Sequence, residues 1–153
     1  GKGSATPIDP GAELRMGILS LDEERGNVMT VAPGVGLREF SFNAVFGKDA
    51  PQDVVYRRAA ARQVMDFING FDATVLVYGQ TGSGKTYTMF GPPDALGTRH
   101  RGIVPRACEE VLRATRARRK DAISSMVSVS YVEIYGSEVT DLLKGGAAVG
   151  QSR

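Results

Sequence analysis

The sequence is poor in the residues that build covalent and metal scaffolds. It has one cysteine, Cys108, one histidine, His100, and no tryptophan in 153 residues. A single thiol excludes an internal disulfide and a cysteine-cluster metal site, and it suits a reducing compartment such as the cytosol. No cysteine or carboxylate stands at ligand spacing from His100, which therefore reads as a solvated loop residue. Long apolar runs are absent: none approaches the roughly 18 residues of a membrane span. No charged stretch followed by an apolar one opens the chain as a secretory leader would. The formal net charge of +2 is too small to argue for nucleic acid or membrane. What remains, 42% hydrophobic and 24% charged, is ordinary for a soluble globular protein. The length allows one domain or less, burying roughly two-thirds of its unfolded surface. The chain opens on Gly1 rather than methionine and closes on the glycine-rich run Gly145–Arg153, which together suggest a piece of something longer.

Glycine is plentiful, with 19 residues, and three of them fall in the most informative stretch. Gly79-Gln80-Thr81-Gly82-Ser83-Gly84-Lys85-Thr86 fits G-x-x-x-x-G-K-[ST], the phosphate-binding loop. The flanks give it the required setting. Ala73–Tyr78 is an apolar, β-branched run that reads as a buried strand, and Thr86–Phe90 can continue as a helix until Gly91-Pro92-Pro93 stops it. Gly79, Gly82 and Gly84 can take positive φ and carry no Cβ, so the backbone can wrap a phosphate with its N–H groups inward. A helix N-terminus behind the loop favours an anion. Lys85 brings a mobile charge for the outer phosphates, and the Thr86 hydroxyl can ligate Mg²⁺.

Around this loop the chain reads as α/β. Met16–Leu19 and Asn27–Val31, separated by Asp22–Gly26, predict a hairpin, and Phe40 and Phe42 share one face of a half-buried strand. Pro51 opens one helix with Tyr56, Ala60, Val64 and Phe67 on its apolar side and Gly70 as its stop. Arg58 and Arg62 fall on the opposite, solvated side. Pro105 marks a second helix start, with Ala107, Val111, Leu112 and Thr115 on its buried side, acidic residues early and Arg113–Lys120 late, as the macrodipole favours. Met126–Tyr135 predicts a strand, and Ser137 a cap for a short helix through Leu143. Helix, strand, loop, helix is the grammar of an α/β fold with a nucleotide at the carboxyl edge of its sheet.

Several ordered segments resemble the kinesin motor domain. They are Phe40–Phe46, Val55-Tyr56, Gly70–Thr74, Tyr78–Met89, Arg101–Arg106, Ser130–Tyr135 and Asp141–Leu143. The resemblance spans Met16 to Leu143. It implies a three-layer α/β/α fold of P-loop type with a mixed sheet, here an incomplete motor domain over residues 16–144. Residues 1–15 are then a disordered N-terminal segment and 145–153 a flexible C-terminal end. It implies ATP and Mg²⁺ as ligands and tubulin in microtubules as partner, mostly through parts outside this chain. It implies a cytoplasmic, cytoskeletal setting, with no nucleic-acid or membrane partner. The nucleotide-binding residues become Gly79, Gln80, Thr81, Gly82, Ser83, Gly84, Lys85, Thr86 and Tyr87, with Thr86 on the metal and Tyr87 packed on adenine.

The departures from the family pattern are equally specific. No Arg-x-Arg-Pro precedes Met16, and nothing resembles Asn-x-x-Ser-Ser-Arg-Ser-His or Asp-Leu-Ala-Gly-Ser-Glu. The last two are the switches that sense the γ-phosphate and orient the attacking water, so no catalytic residue is assigned within this chain. In the family, strands from those segments flank the phosphate-loop strand, so Ala73–Tyr78 is expected to expose its ladder groups. An ATP-binding piece of a microtubule motor, inactive alone, is the leading reading. Another P-loop ATPase or GTPase, and a non-hydrolysing microtubule- or nucleotide-binding module, are the alternatives.

Overall fold

A computed structural model describes residues 17–145 and 147–148. The N-terminal segment expected over 1–15 and most of the C-terminal end expected over 145–153 lie outside the described residues. The chain divides into two units, one ending at Val111 and one starting at Leu112.

The first unit begins with a three-stranded antiparallel sheet of β1 (Gly17–Asp22), β2 (Asn27–Ala32) and β3 (Gly36–Ser41), in that order. The expected hairpin forms because Asp22 organises its turn. The Asp22 carboxylate accepts the Glu24 and Arg25 N–H groups at 3.1 and 2.9 Å, and the Gly26 N–H reaches the Asp22 carbonyl at 2.8 Å. Asx-type bonding of this kind holds a turn without help from the core. β3 differs from its half-buried expectation: Phe40 and Phe42 are 45% and 54% exposed. The core lies elsewhere, among the helices.

Pro51, with φ −65° and ψ 146°, leads into α1 (Gln52–Ala59), and α2 (Ala61–Ile68) follows directly. The sequence predicts one helix here; Ala60, at φ −135° and ψ −27°, divides it. Hydrogen bonding carries across the break, from the Ala60 N–H to Tyr56 O at 2.9 Å and from the Val64 N–H to Ala60 O at 3.1 Å, so the feature is a kink. Tyr56, Ala60 and Val64 stay buried against Ile103, with Ile68, Met89, Ala107 and Val111 around them. The kink turns Phe67 away from the expected apolar face, to 52% exposure, and Ile68 takes its place. Gly70 ends α2 as expected. With Gly70 at φ 89°, the Phe71 N–H bonds Asp66 O and the Gly70 N–H bonds Phe67 O, both at 3.0 Å, the paired bonds of a Schellman stop.

α3 (Lys85–Phe90) and α4 (Ile103–Lys120) supply the other walls of this core. Pro105 sits in the first turn of α4, where a missing N–H costs nothing, and the Tyr56 hydroxyl donates to the Glu110 carboxylate, tying α1 to α4. Half of the expected charge segregation holds: Arg118, Arg119 and Lys120 fall in the last turn, but the first turn has no acidic residue, because the helix starts at Ile103 and leaves Glu109 and Glu110 mid-helix. Leu112, expected inside, is exposed.

In the second unit β4 (Val132–Tyr135), β5 (Glu138–Asp141) and β6 (Ala147–Ala148) form a second antiparallel sheet. The helix expected from Ser137 to Leu143 does not form. Gly136, at φ 61°, and Ser137 instead make a two-residue turn that pairs Tyr135 with Glu138. Asp141 provides the cap: its carboxylate accepts the Leu143 N–H at 2.9 Å and starts a single 3₁₀ turn over Leu142–Lys144. The strand expected over Met126–Tyr135 is confined to β4, because β5 ends its pairing at Val132↔Asp141. The α/β content expected of the chain is present. Both described sheets are antiparallel, and Ala73–Tyr78 joins no ladder among the described residues, so the mixed central sheet is not assembled there.

Candidate functional site

The loop Gly79–Thr86 connects the extended Ala73–Tyr78 segment to α3. Its three glycines all have positive φ: 149° at Gly79, 80° at Gly82 and 90° at Gly84. A Cβ at Gly79 would also fall 2.6 Å from the Ser83 hydroxyl oxygen, which would have to turn away, while the positive φ is what favours glycine there. The Ser83 N–H bonds Gln80 O at 3.2 Å, and the Thr88 N–H bonds Gly84 O at 2.8 Å as the first closed turn of α3.

Lys85 fastens the loop to itself. Its ammonium donates to the carbonyls of Gly79 at 2.8 Å and Gln80 at 2.6 Å. Charge-assisted bonds of this length are the strong ones, and an ammonium has a third N–H to offer an oxyanion. Thr81, Gly82, Gly84, Lys85, Thr86 and Tyr87 line one cavity of about 360 Å³. Six of the nine residues expected to bind nucleotide therefore share a cavity, Gly79 and Gln80 hold its lysine, and Ser83 packs on Gly79. Among the described residues no group of three or more His, Cys, Asp or Glu could hold a metal ion. The Thr86 hydroxyl could offer a divalent cation a single hard oxygen. That suits Mg²⁺, which takes one or two protein ligands and completes its shell with phosphate oxygens and water.

A second cavity of about 360 Å³ also has Tyr87 in its lining, with Lys48, Asp49, Gln52, Arg99 and His100 among others. Gln52 is buried, and its side-chain amide donates to Tyr87 O at 2.7 Å. Nothing in the sequence marks this residue, since a glutamine at the start of a helix is ordinarily solvated. His100 stays exposed as expected; its ring accepts a bond from Arg99 at 3.3 Å. Arg99, His100 and Arg101 do not act as one basic triplet, because Arg101 pairs with Glu109 at 2.7 Å. Arg106 holds this loop down by donating to Arg101 O at 3.0 Å and Arg99 O at 2.7 Å. Gly102 completes the packing, with its N–H bonded to Phe90 O at 3.0 Å. A Cβ there would lie 2.6 Å from backbone atoms of Thr88, Met89 and Phe90, so only glycine lets the start of α4 press on the end of α3.

A glycine loop of this shape, closed by its own lysine and followed by a helix, is the anion-cradling element of P-loop proteins. Residues 20–152 match the family model described as the kinesin motor domain. The human Kinesin-like protein KIF7 is 42% identical over 127 residues, covering 78% of this chain and 9% of KIF7. Among solved structures, the Drosophila kinesin family member NOD in complex with AMPPNP is similar with a TM-score of 0.59 and 31% identity, over 75% of this chain and 38% of that one. NOD docked with bovine tubulin into a map of its nucleotide-free microtubule complex gives a TM-score of 0.62 at 28% identity, over 85% of this chain and 43% of that one. The chain belongs to the kinesin motor family. It spans about a tenth of KIF7 and less than half of the NOD chains it matches.

Proposed function

We propose that this chain is the ATP-cradling part of a microtubule motor. Gly79–Thr86 wrap the phosphates, Lys85 neutralises the outer ones, Thr86 contributes a ligand to Mg²⁺, and Tyr87 packs on adenine. The observation that carries this reading is the Lys85 ammonium bonded to Gly79 O and Gln80 O at the wall of a cavity that also holds Thr86 and Tyr87. Complexation of the related NOD with AMPPNP supports an adenine nucleotide. NOD docked on the microtubule supports tubulin as the track of the parent protein, in a cytoplasmic, cytoskeletal setting, mostly through parts outside this chain. Membership of the kinesin family argues against an unrelated P-loop ATPase or GTPase.

The division of labour follows from the residues present. When bound, Mg²⁺ would screen phosphate charge; the chain's own part is to orient the phosphates with backbone N–H groups and one ammonium. Neither switch motif is in this sequence, so binding without turnover is its expected activity alone. The test is an equilibrium titration of magnesium ATP into the chain, with released phosphate followed in the same samples. Saturable binding is expected, with no phosphate above the buffer blank. Lys85→Ala should weaken it at least about tenfold, the scale of a lost charged hydrogen bond. Equal affinity in the variant would remove the loop from the site.

A further inference from the structure

Gln52 is the only polar side chain buried among the described residues, at 6% exposure, and holding phosphate does not account for it. It stands at the first position of α1, yet its amide reaches the carbonyl of Tyr87, 35 residues away. That carbonyl also accepts the Gly91 N–H at 2.8 Å, the bond that closes the last turn of α3. A carbonyl oxygen has two acceptor sites, and here one serves the helix and the other serves Gln52. α3 has six residues, too few to hold a helix by itself, so its orientation depends on what grips it from outside. The phosphate loop, by contrast, is closed by Lys85 within its own residues.

We infer that Gln52 is a positioning residue for Tyr87. It pins the backbone of α3 at Tyr87, a residue that lines both cavities, and so fixes where its side chain starts. The inference rests on the reading of Gly79–Tyr87 as a nucleotide site, and it separates that site into two parts. The phosphate end is held locally, while the nucleoside end depends on a side chain of α1.

The experiment compares magnesium ATP with magnesium tripolyphosphate, which lacks the nucleoside, on the 153-residue chain. Gln52→Leu keeps bulk without a donor, and Gln52→Glu keeps length with a carboxylate that has no N–H at neutral pH. Both variants should bind ATP about three- to tenfold more weakly, the range of one lost neutral hydrogen bond, and bind tripolyphosphate as the wild type does. Unchanged ATP affinity, or an equal loss for both ligands, would overturn the inference, the second because it marks general loosening. A wild type that binds neither ligand would sink the nucleotide reading. In that case, or if the variants do not fold, the wild type still decides the pin by NMR. A scalar coupling across the hydrogen bond from Gln52 Nε2 to the Tyr87 carbonyl carbon is expected, and its absence would overturn the assignment.

Discussion

Ala73–Tyr78 and Lys85–Phe90 are six-residue stretches on either side of one glycine loop, and their backbones are satisfied in different ways. Lys85–Phe90 closes its bonds within a few residues: Thr88 to Gly84, Gly91 to Tyr87, with Gly102 then capping Phe90. Ala73–Tyr78 joins no ladder among the described residues, and Leu76 and Tyr78 are 79% and 85% exposed. A helix takes its acceptors from four residues back, whereas a strand needs a second strand beside it. The same contrast holds in the second unit, where β4 pairs with its neighbour across a two-residue turn, while Met126–Ser130 joins no strand among the described residues. Among the described residues, structure that closes over short sequence distances forms, and the strand pairing that Ala73–Tyr78 needs does not.

Substitutions on the two sides of the loop should therefore differ in cost. The largest effect is expected at Gly102→Ala. Its new Cβ meets backbone of α3 at 2.6 Å, and overpacking of this kind costs about 1–3 kcal/mol. Thermal melting followed by circular dichroism should show a clear drop in midpoint; an unchanged midpoint would mean α3 and α4 are not pressed together. The smallest effect is expected at Leu76→Ser. A side chain so exposed contributes little, so the change should stay within about 0.5 kcal/mol. A loss well above that would show the Ala73–Tyr78 segment to be packed, and the comparison would fail.

The same distinction explains what could be read from the sequence. The conformation of the loop was legible because its requirement is local, positive φ at Gly79, Gly82 and Gly84; the bonds of Lys85 to the Gly79 and Gln80 carbonyls were not. The first hairpin was legible through Asp22, and the end of α2 through Gly70. Gly136-Ser137 also fits a two-residue hairpin turn, and in the sequence that signal competes with the capping tendency of Ser137. The kink at Ala60 left no mark, since every residue from Gln52 to Ile68 is compatible with one helix and the break shows only in the backbone angles of Ala60. Gln52 was illegible for a related reason. Its burial and its bond to Tyr87 join positions 35 residues apart, and periodicity carries no information at that distance.

Amide hydrogen exchange on the 153-residue chain, with and without magnesium ATP, tests the central claim most directly. The account predicts that nucleotide slows exchange across Gly79–Tyr87, while Ala73–Tyr78 exchanges rapidly in both conditions because its N–H groups have no ladder partner among the described residues. Unaltered exchange across Gly79–Tyr87 in the presence of saturating nucleotide, or protection of Ala73–Tyr78 before any is added, would contradict it.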